Sequence, residues 1–130
     1  FDRRGAAALH ISGGLLGGPA VSFSPAIEEN PQKGFFEDAA HAVAKRVKHA
    51  SIISVGGYRT PAMIERTLAE GDISLVSLGR PLTSEPDLVS RWAHGDRCKA
   101  RCISCNRCFG SKNIITCVAL AETMKKGEAE

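Results

Sequence analysis

The sequence has few aromatic residues, little excess charge of either sign and no long apolar run. Aromatic residues make up 5% of the 130 residues, and 17 lysines and arginines against 14 acidic residues give a net charge of +3. Bulk charge therefore does not select nucleic acid or an anionic membrane as a partner. No segment reaches the roughly 18 consecutive apolar residues of a transmembrane helix. The composition predicts one soluble domain of average polarity.

Cysteine is absent before Cys98, and five cysteines then lie between Cys98 and Cys117. Secreted proteins with a disulfide framework usually have an even number of cysteines distributed along the chain, whereas this chain has an odd number in one cluster. We therefore expect a reducing, cytoplasmic setting. The chain begins with Phe1 and lacks a basic segment followed by an apolar one, so we expect no signal peptide. We interpret the sequence as an excerpt from a longer protein.

Short apolar segments alternate with helical patterns as far as Gly95. Strands buried on both faces are predicted over residues 6–12, 51–55 and 73–78, and a long loop over residues 15–34. Helices are predicted over residues 35–49, from the cap Thr60 to about Glu70, and from the cap Ser84 to Gly95. In the third helix, Leu88, Val89 and Trp92 are predicted to face inward. The βαβαβα order predicts a parallel sheet with right-handed crossovers, either doubly wound or closed into a barrel, and the pattern alone does not separate these two architectures.

Two successive strands end in glycine turns, and the second turn carries an arginine. Gly56 and Gly57 follow the second predicted strand, whereas Gly79 and Arg80 follow the third. Parallel sheets bind ligands at the carboxyl ends of their strands. Glycine allows backbone N–H groups to approach an anion, and arginine adds a bidentate, permanently charged clamp. Either turn alone is better explained as a strand end, but the pair predicts a phosphate site.

The cysteine spacing is typical of a thiolate site. The segment reads Cys98-x3-Cys102-x2-Cys105-x2-Cys108-x8-Cys117 and is rich in basic residues. Closely spaced thiolates can converge on one metal, and four of them complete a tetrahedral zinc site or a [4Fe–4S] cluster. The candidate metal ligands are Cys102, Cys105, Cys108 and Cys117.

Several motifs, taken in order, resemble one family of flavoproteins. They are Ile53-Ser54-Val55-Gly56-Gly57-Tyr58-Arg59-Thr60, Leu75-Val76-Ser77-Leu78-Gly79-Arg80-Pro81-Leu82 and Glu85-Pro86-Asp87-Leu88. Together they resemble the last two strands of Old Yellow Enzyme-like NADH:flavin oxidoreductases, in the branch that includes bacterial 2,4-dienoyl-CoA reductases. Residues 8–14 are similar to the sixth strand of that family, and the resemblance extends to Cys117.

The resemblance implies an α/β fold in which residues 1–96 form the C-terminal βα units, about strands 6 to 8, of a TIM (β/α)8 barrel. Residues 97–130 follow as a cysteine-rich segment and a C-terminal helix. The rest of the barrel is expected in the parent chain, because three units are too few to close a barrel of about 250 residues. The motifs that supply the catalytic residues of the family lie on earlier strands, so no catalytic residue is assigned here.

The resemblance also implies FMN as cofactor. Backbone amides of Gly56, Gly57 and Gly79 and the side chain of Arg80 would hold its phosphate. Proteins of this family pass hydride from NAD(P)H through the flavin to an activated alkene or enoyl-type small-molecule acceptor. Some members bind an iron–sulfur cluster at the cysteine segment, with longer cysteine intervals than in this chain. Three alternatives for the cysteine segment therefore stay open: a [4Fe–4S] cluster, a metal-free segment in a protein that binds FMN alone, and a zinc site.

Two other functions are compatible with parts of the sequence. One is a metal-stabilised cysteine knuckle that binds RNA or DNA. Phe109 is the only aromatic residue in the knuckle and the preceding βα units would have no role, so we expect no nucleic-acid partner and no membrane partner. The other is a different phosphate-binding TIM-barrel enzyme, which would share the glycine turns but would not need the thiols.

Overall fold

A computed structural model describes residues 2–13, 33–109 and 116–127. Three strands form one parallel sheet in chain order: β1 (Ala8–Ile11), β2 (Ser51–Val55) and β3 (Leu75–Ser77). Leu9 pairs with Ile52, and Ile53 pairs with Leu75. The predicted mixed α/β architecture with a parallel sheet is confirmed for the described residues, whereas closure into a barrel stays a prediction. Most of the predicted loop over residues 15–34 lies outside the described residues.

Helices connect and follow the strands: α1 (Glu37–Ala44), α2 (Pro61–Ala69), α3 (Arg80–Ser84), α4 (Leu88–Ala93) and α5 (Val118–Gly127). Short 3-10 turns cover Asp2–Arg4 and Arg107–Phe109. No helix in these three described stretches combines the length and the apolar content that crossing a lipid bilayer requires.

The start of α2 agrees with its prediction, whereas α1 is shorter than predicted. Thr60 caps α2, because its hydroxyl accepts a hydrogen bond from the backbone N–H of Met63 at 3.3 Å. The prediction that the first helix continues to residue 49 is wrong, since α1 ends at Ala44. The carboxylate of Asp2 accepts hydrogen bonds from the backbone N–H groups of residues 48, 49 and 50. These bonds hold the segment before β2 in a turn that a continuing helix would break.

The predicted third helix begins later than expected, and the assignment of Ser84 as its cap is wrong. The helix corresponds to α4, which begins at Leu88 after Asp87, and a separate short helix, α3, precedes it. Ser84 is the last residue of α3, and the next residue, Glu85, has extended backbone with φ −138° and ψ 89°. Pro86 explains the break, because proline disfavours helical backbone in the residue before it. In α4, Leu88 is fully buried as predicted, but Val89 is exposed.

The core lies between α1 and the sheet, and the outer strands are incompletely covered. Ala40, Ile52 and Ile73 form the buried cluster. The prediction that every strand is buried on both faces is wrong for β1, in which residues alternate between exposed and half-buried, and for Leu75, which is 55% exposed. β1 and β3 are the edge strands of this sheet, and within the described residues no further strand lies beside their outer edges.

Candidate functional site

A cavity of about 260 Å³, here called the strand-end cleft, opens at the carboxyl ends of the three strands. Gly56 and Gly57 line it from the end of β2, and Gly79 and Arg80 line it from the end of β3. The structure therefore brings together all four residues of the predicted phosphate site. Their assignment to phosphate stays a prediction.

The glycines of the strand-end cleft differ in what makes them suitable for this position: two have a backbone conformation that favours glycine, and the third borders open space. Gly56 has φ +101° and Gly57 has φ +80°, the left-handed region that L-residues rarely adopt. A Cβ atom on Gly56 would lie 3.2 Å from the Cβ atom of Phe35. A Cβ atom on Gly79 would meet nothing within 4 Å. The backbone at Gly79 therefore borders open space, which suits a ligand group approaching closely.

Two arginines line this cleft, and sequence reasoning identified one of them. Arg80, at the start of α3, donates a hydrogen bond from Nη1 to Oδ1 of Asn106. Arg59 is 5% exposed and donates from Nη2 to the hydroxyl of Ser104. The backbone carbonyl of Arg59 also accepts a hydrogen bond from the N–H of Ala100 at 2.9 Å. The signal for Arg59 was its position directly after the Gly-Gly turn and Tyr58, where the chain leaves a strand. Two guanidinium groups make this cleft a favourable environment for an anion.

The residue before Arg59, Tyr58, is buried. The Tyr58 hydroxyl donates a hydrogen bond to the Glu37 carboxylate at 3.1 Å and lies 2.9 Å from the Ser54 hydroxyl. Burial is the main cause that raises the pKa of Tyr58 to about 12. Gly34 allows this packing, because a Cβ atom there would overlap the Tyr58 ring. The ring therefore fixes the backbone from which Arg59 extends.

The four cysteines proposed as metal ligands line a second cavity of about 270 Å³, the thiol cavity. They are Cys102, Cys105, Cys108 and Cys117. Burial raises the pKa of the Cys108 thiol, and the nearby Cys102 and Cys105 add to the increase, whereas the charge of Arg80 opposes it. All five cysteines are free thiols, and Cys98 does not line the thiol cavity.

The tightest group of metal-ligating side chains lies elsewhere. Among the described residues, ligand atoms of three such side chains lie within 4.8 Å of one another at Glu37, His41 and Glu70. Arg66 pairs with both carboxylates of this group, because its Nη1 is 2.9 Å from Glu37 and 3.1 Å from Glu70. Nδ1 of His41 lies 2.8 Å from Oδ1 of Asp72. These contacts describe an ion-pair cluster that joins α1 to the end of α2.

Comparisons with known proteins identify relatives of this chain. The sequence profile of the NADH:flavin oxidoreductase / NADH oxidase family matches residues 21–98, which is more than half of the chain and a range that contains the residues of the predicted phosphate site. An NADH oxidase from Thermoanaerobacter brockii is 28% identical over 114 residues, which cover 86% of this chain and 17% of that protein. The NADH-dependent flavin oxidoreductase iliE from Neonectria sp. (strain DH2) is 34% identical over 86 residues, which cover 60% of this chain and 11% of that protein.

A third relative, the NADH-dependent flavin oxidoreductase iccE from Talaromyces variabilis, is 28% identical over 60% of this chain and 20% of its own length. This chain thus spans a fifth or less of the length of these three curated relatives. No solved structure matches the chain significantly. The match to the family profile over most of the α/β region shows that the chain belongs to the NADH:flavin oxidoreductase / NADH oxidase family.

Proposed function

We propose that this chain provides the flavin-phosphate site of an FMN-dependent oxidoreductase. The complete protein would pass hydride from NAD(P)H through the flavin to an activated alkene or enoyl-type small molecule. One observation carries the proposal: two glycine turns and two arginines, from neighbouring strand ends, surround one cleft in a member of this flavoprotein family. We expect neither nucleic acid nor a membrane as a partner.

Each group at the strand-end cleft has a distinct role in this proposal. Backbone N–H groups at Gly56, Gly57 and Gly79 would donate to phosphate oxygens, since no Cβ atom separates the backbone from the ligand. Arg80 would add charge-assisted hydrogen bonds at the start of α3. Bound FMN would supply the hydride-accepting and hydride-donating ring. We further propose that residues 1–96 are the last βα units of a TIM barrel whose other strands belong to the rest of the protein.

We further propose that the thiol cavity holds a [4Fe–4S] cluster, because the four candidate ligands Cys102, Cys105, Cys108 and Cys117 line one space and four thiolates complete such a cluster. The same four thiolates would also complete a tetrahedral zinc site. A metal-free thiol cavity and a zinc site are therefore the alternatives.

The experiment that tests the phosphate site compares FMN with riboflavin, which has the same ring system but no phosphate. In the complete natural protein, freed of flavin, Arg80→Ala should weaken FMN binding about 10- to 100-fold, because a charge-assisted hydrogen bond contributes about 1.5–3 kcal/mol. Riboflavin affinity should stay the same. Arg97→Ala is the matched control, since Arg97 is an exposed cation that pairs with Glu65.

Unchanged FMN affinity in Arg80→Ala would remove Arg80 from the phosphate site. A wild-type protein that binds sugar phosphates and no flavin would instead indicate another phosphate-binding barrel enzyme. Both results are read from the same calorimetric titrations.

A further inference from the structure

The segment between Cys98 and Cys108, here called the cysteine loop, contacts both arginines of the strand-end cleft. The hydroxyl of Ser104 accepts a hydrogen bond from Arg59, and the side-chain oxygen of Asn106 accepts one from Arg80. A backbone hydrogen bond from Ala100 to Arg59 adds a third attachment. The cysteine loop is therefore attached to the ends of two strands through the cations that the proposed phosphate site would use.

The backbone of the cysteine loop is strained at the two residues that make these contacts. Ser104 has φ +53° and Asn106 has φ +60°, a left-handed conformation that is uncommon for residues other than glycine. Ser104 is also 3% exposed. Such conformations persist when tertiary contacts compensate their cost, and they are frequent at ligand-binding sites. The hydrogen bonds to Arg59 and Arg80 are contacts of that kind.

Arg80 and Ser104 each line both the strand-end cleft and the thiol cavity. They therefore form part of the wall between the two cavities. A guanidinium group has five N–H donors in a rigid fork, so a hydrogen bond to Asn106 through one nitrogen leaves other donors of Arg80 for a second acceptor. Asn106 is neutral, so it orients this cation without cancelling its charge.

We propose that Ser104 and Asn106 are positioning residues that orient Arg59 and Arg80 toward the flavin phosphate. Phosphate binding and docking of the cysteine loop then stabilise each other. This inference rests on the proposed phosphate site and adds two residues to it, Ser104 and Asn106. The coupling must be reciprocal, because linked binding equilibria change each other by the same factor.

The first test measures the ratio of FMN affinity to riboflavin affinity in the complete natural protein. Asn106→Gly removes the acceptor for Arg80 while glycine accommodates the positive φ without strain. Ser104→Ala removes the acceptor for Arg59. Each variant should reduce the FMN-to-riboflavin affinity ratio about 10-fold and leave riboflavin affinity unchanged. The reason is that an arginine without its orienting partner should lose about one charge-assisted hydrogen bond to the phosphate. Arg97→Ala, within one residue of the cysteine loop and outside both cavities, should leave the ratio unchanged.

The second test needs no variant and measures amide hydrogen exchange in residues 98–108. FMN should slow exchange in the cysteine loop more than riboflavin does, since only FMN carries the phosphate. Equal wild-type affinities for FMN and riboflavin would refute the proposed phosphate site and this inference with it. A wild-type preference for FMN that persists in Asn106→Gly and Ser104→Ala, or equal protection by the two flavins, would refute the inference alone.

Discussion

Glu37 is a buried charged residue in the first turn of α1, and replacing it should lower the free energy of unfolding. Its side chain is 1% exposed. The carboxylate accepts hydrogen bonds from the Gly34 N–H at 2.8 Å, the Tyr58 hydroxyl at 3.1 Å and the Thr67 hydroxyl at 3.0 Å. It also pairs with Arg66 at 2.9 Å. Glu37→Gln would keep the size of this side chain but remove its charge and turn one acceptor into a donor.

The expected loss of unfolding free energy is about 3 kcal/mol. A hydrogen bond to a charged group contributes roughly 1 kcal/mol more than a neutral one, and Glu37 accepts three such bonds from uncharged donors. The Arg66 pair adds little, because its guanidinium is 40% exposed and solvent screens the interaction.

The effect should also depend on pH in a defined direction. Burial raises the pKa of Glu37, but hydrogen bonds from Arg66, Gly34 and Thr67 outweigh burial, so the pKa lies below its ordinary value of 4.5. A lowered pKa in the folded state stabilises the protein fully above 4.5, and this stabilisation is lost as the pH falls through the folded-state pKa. The difference between wild type and Glu37→Gln should therefore be largest at neutral pH and shrink below pH 4.5.

Urea unfolding of the complete natural protein at several pH values measures both effects. The matched control is Asp38→Asn, which changes the neighbouring acid on the same turn of α1. The side chain of Asp38 is 81% exposed and pairs with Lys33 at the surface, so its substitution should change stability little. Equal destabilisation by the two substitutions, or a Glu37→Gln effect that stays constant from pH 7 to pH 3, would refute the reasoning.

Three further predictions concern other parts of the chain. Tyr58→Phe should lower the unfolding free energy by about 1–2 kcal/mol, because the hydroxyl hydrogen bonds with Glu37 and Ser54 would be lost; urea unfolding measures this, and an unchanged midpoint would contradict it. Anaerobically prepared complete protein should contain iron and acid-labile sulfide in near-equal amounts, whereas zinc alone or no metal would contradict the proposed cluster. The 130-residue chain by itself should self-associate and not oxidise NAD(P)H, since β1 and β3 are open edges with Leu75 exposed. Sedimentation of a sharp, catalytically active monomer would contradict that last expectation.

Several features followed from local sequence patterns alone. The apolar runs before Gly56 and Gly79 predicted two of the strands, and Thr60 with Pro61 predicted the start of α2. These signals act over a few residues, through side-chain spacing, capping and turn chemistry. The parallel arrangement then placed both glycine turns at one edge of the sheet, so four of the residues around the strand-end cleft could be predicted without coordinates, whereas Arg59 was missed.

Only the tertiary structure decided which distant residues meet. Glu37 and Arg66 are far apart in the sequence, and so are Arg80 and Asn106, because each contact depends on how separate elements pack. The exposure of Leu75 likewise depends on the number of neighbouring strands and not on its own apolar character. Periodicity identifies the face of an element that is apolar, but packing determines what covers that face and which polar groups are buried together.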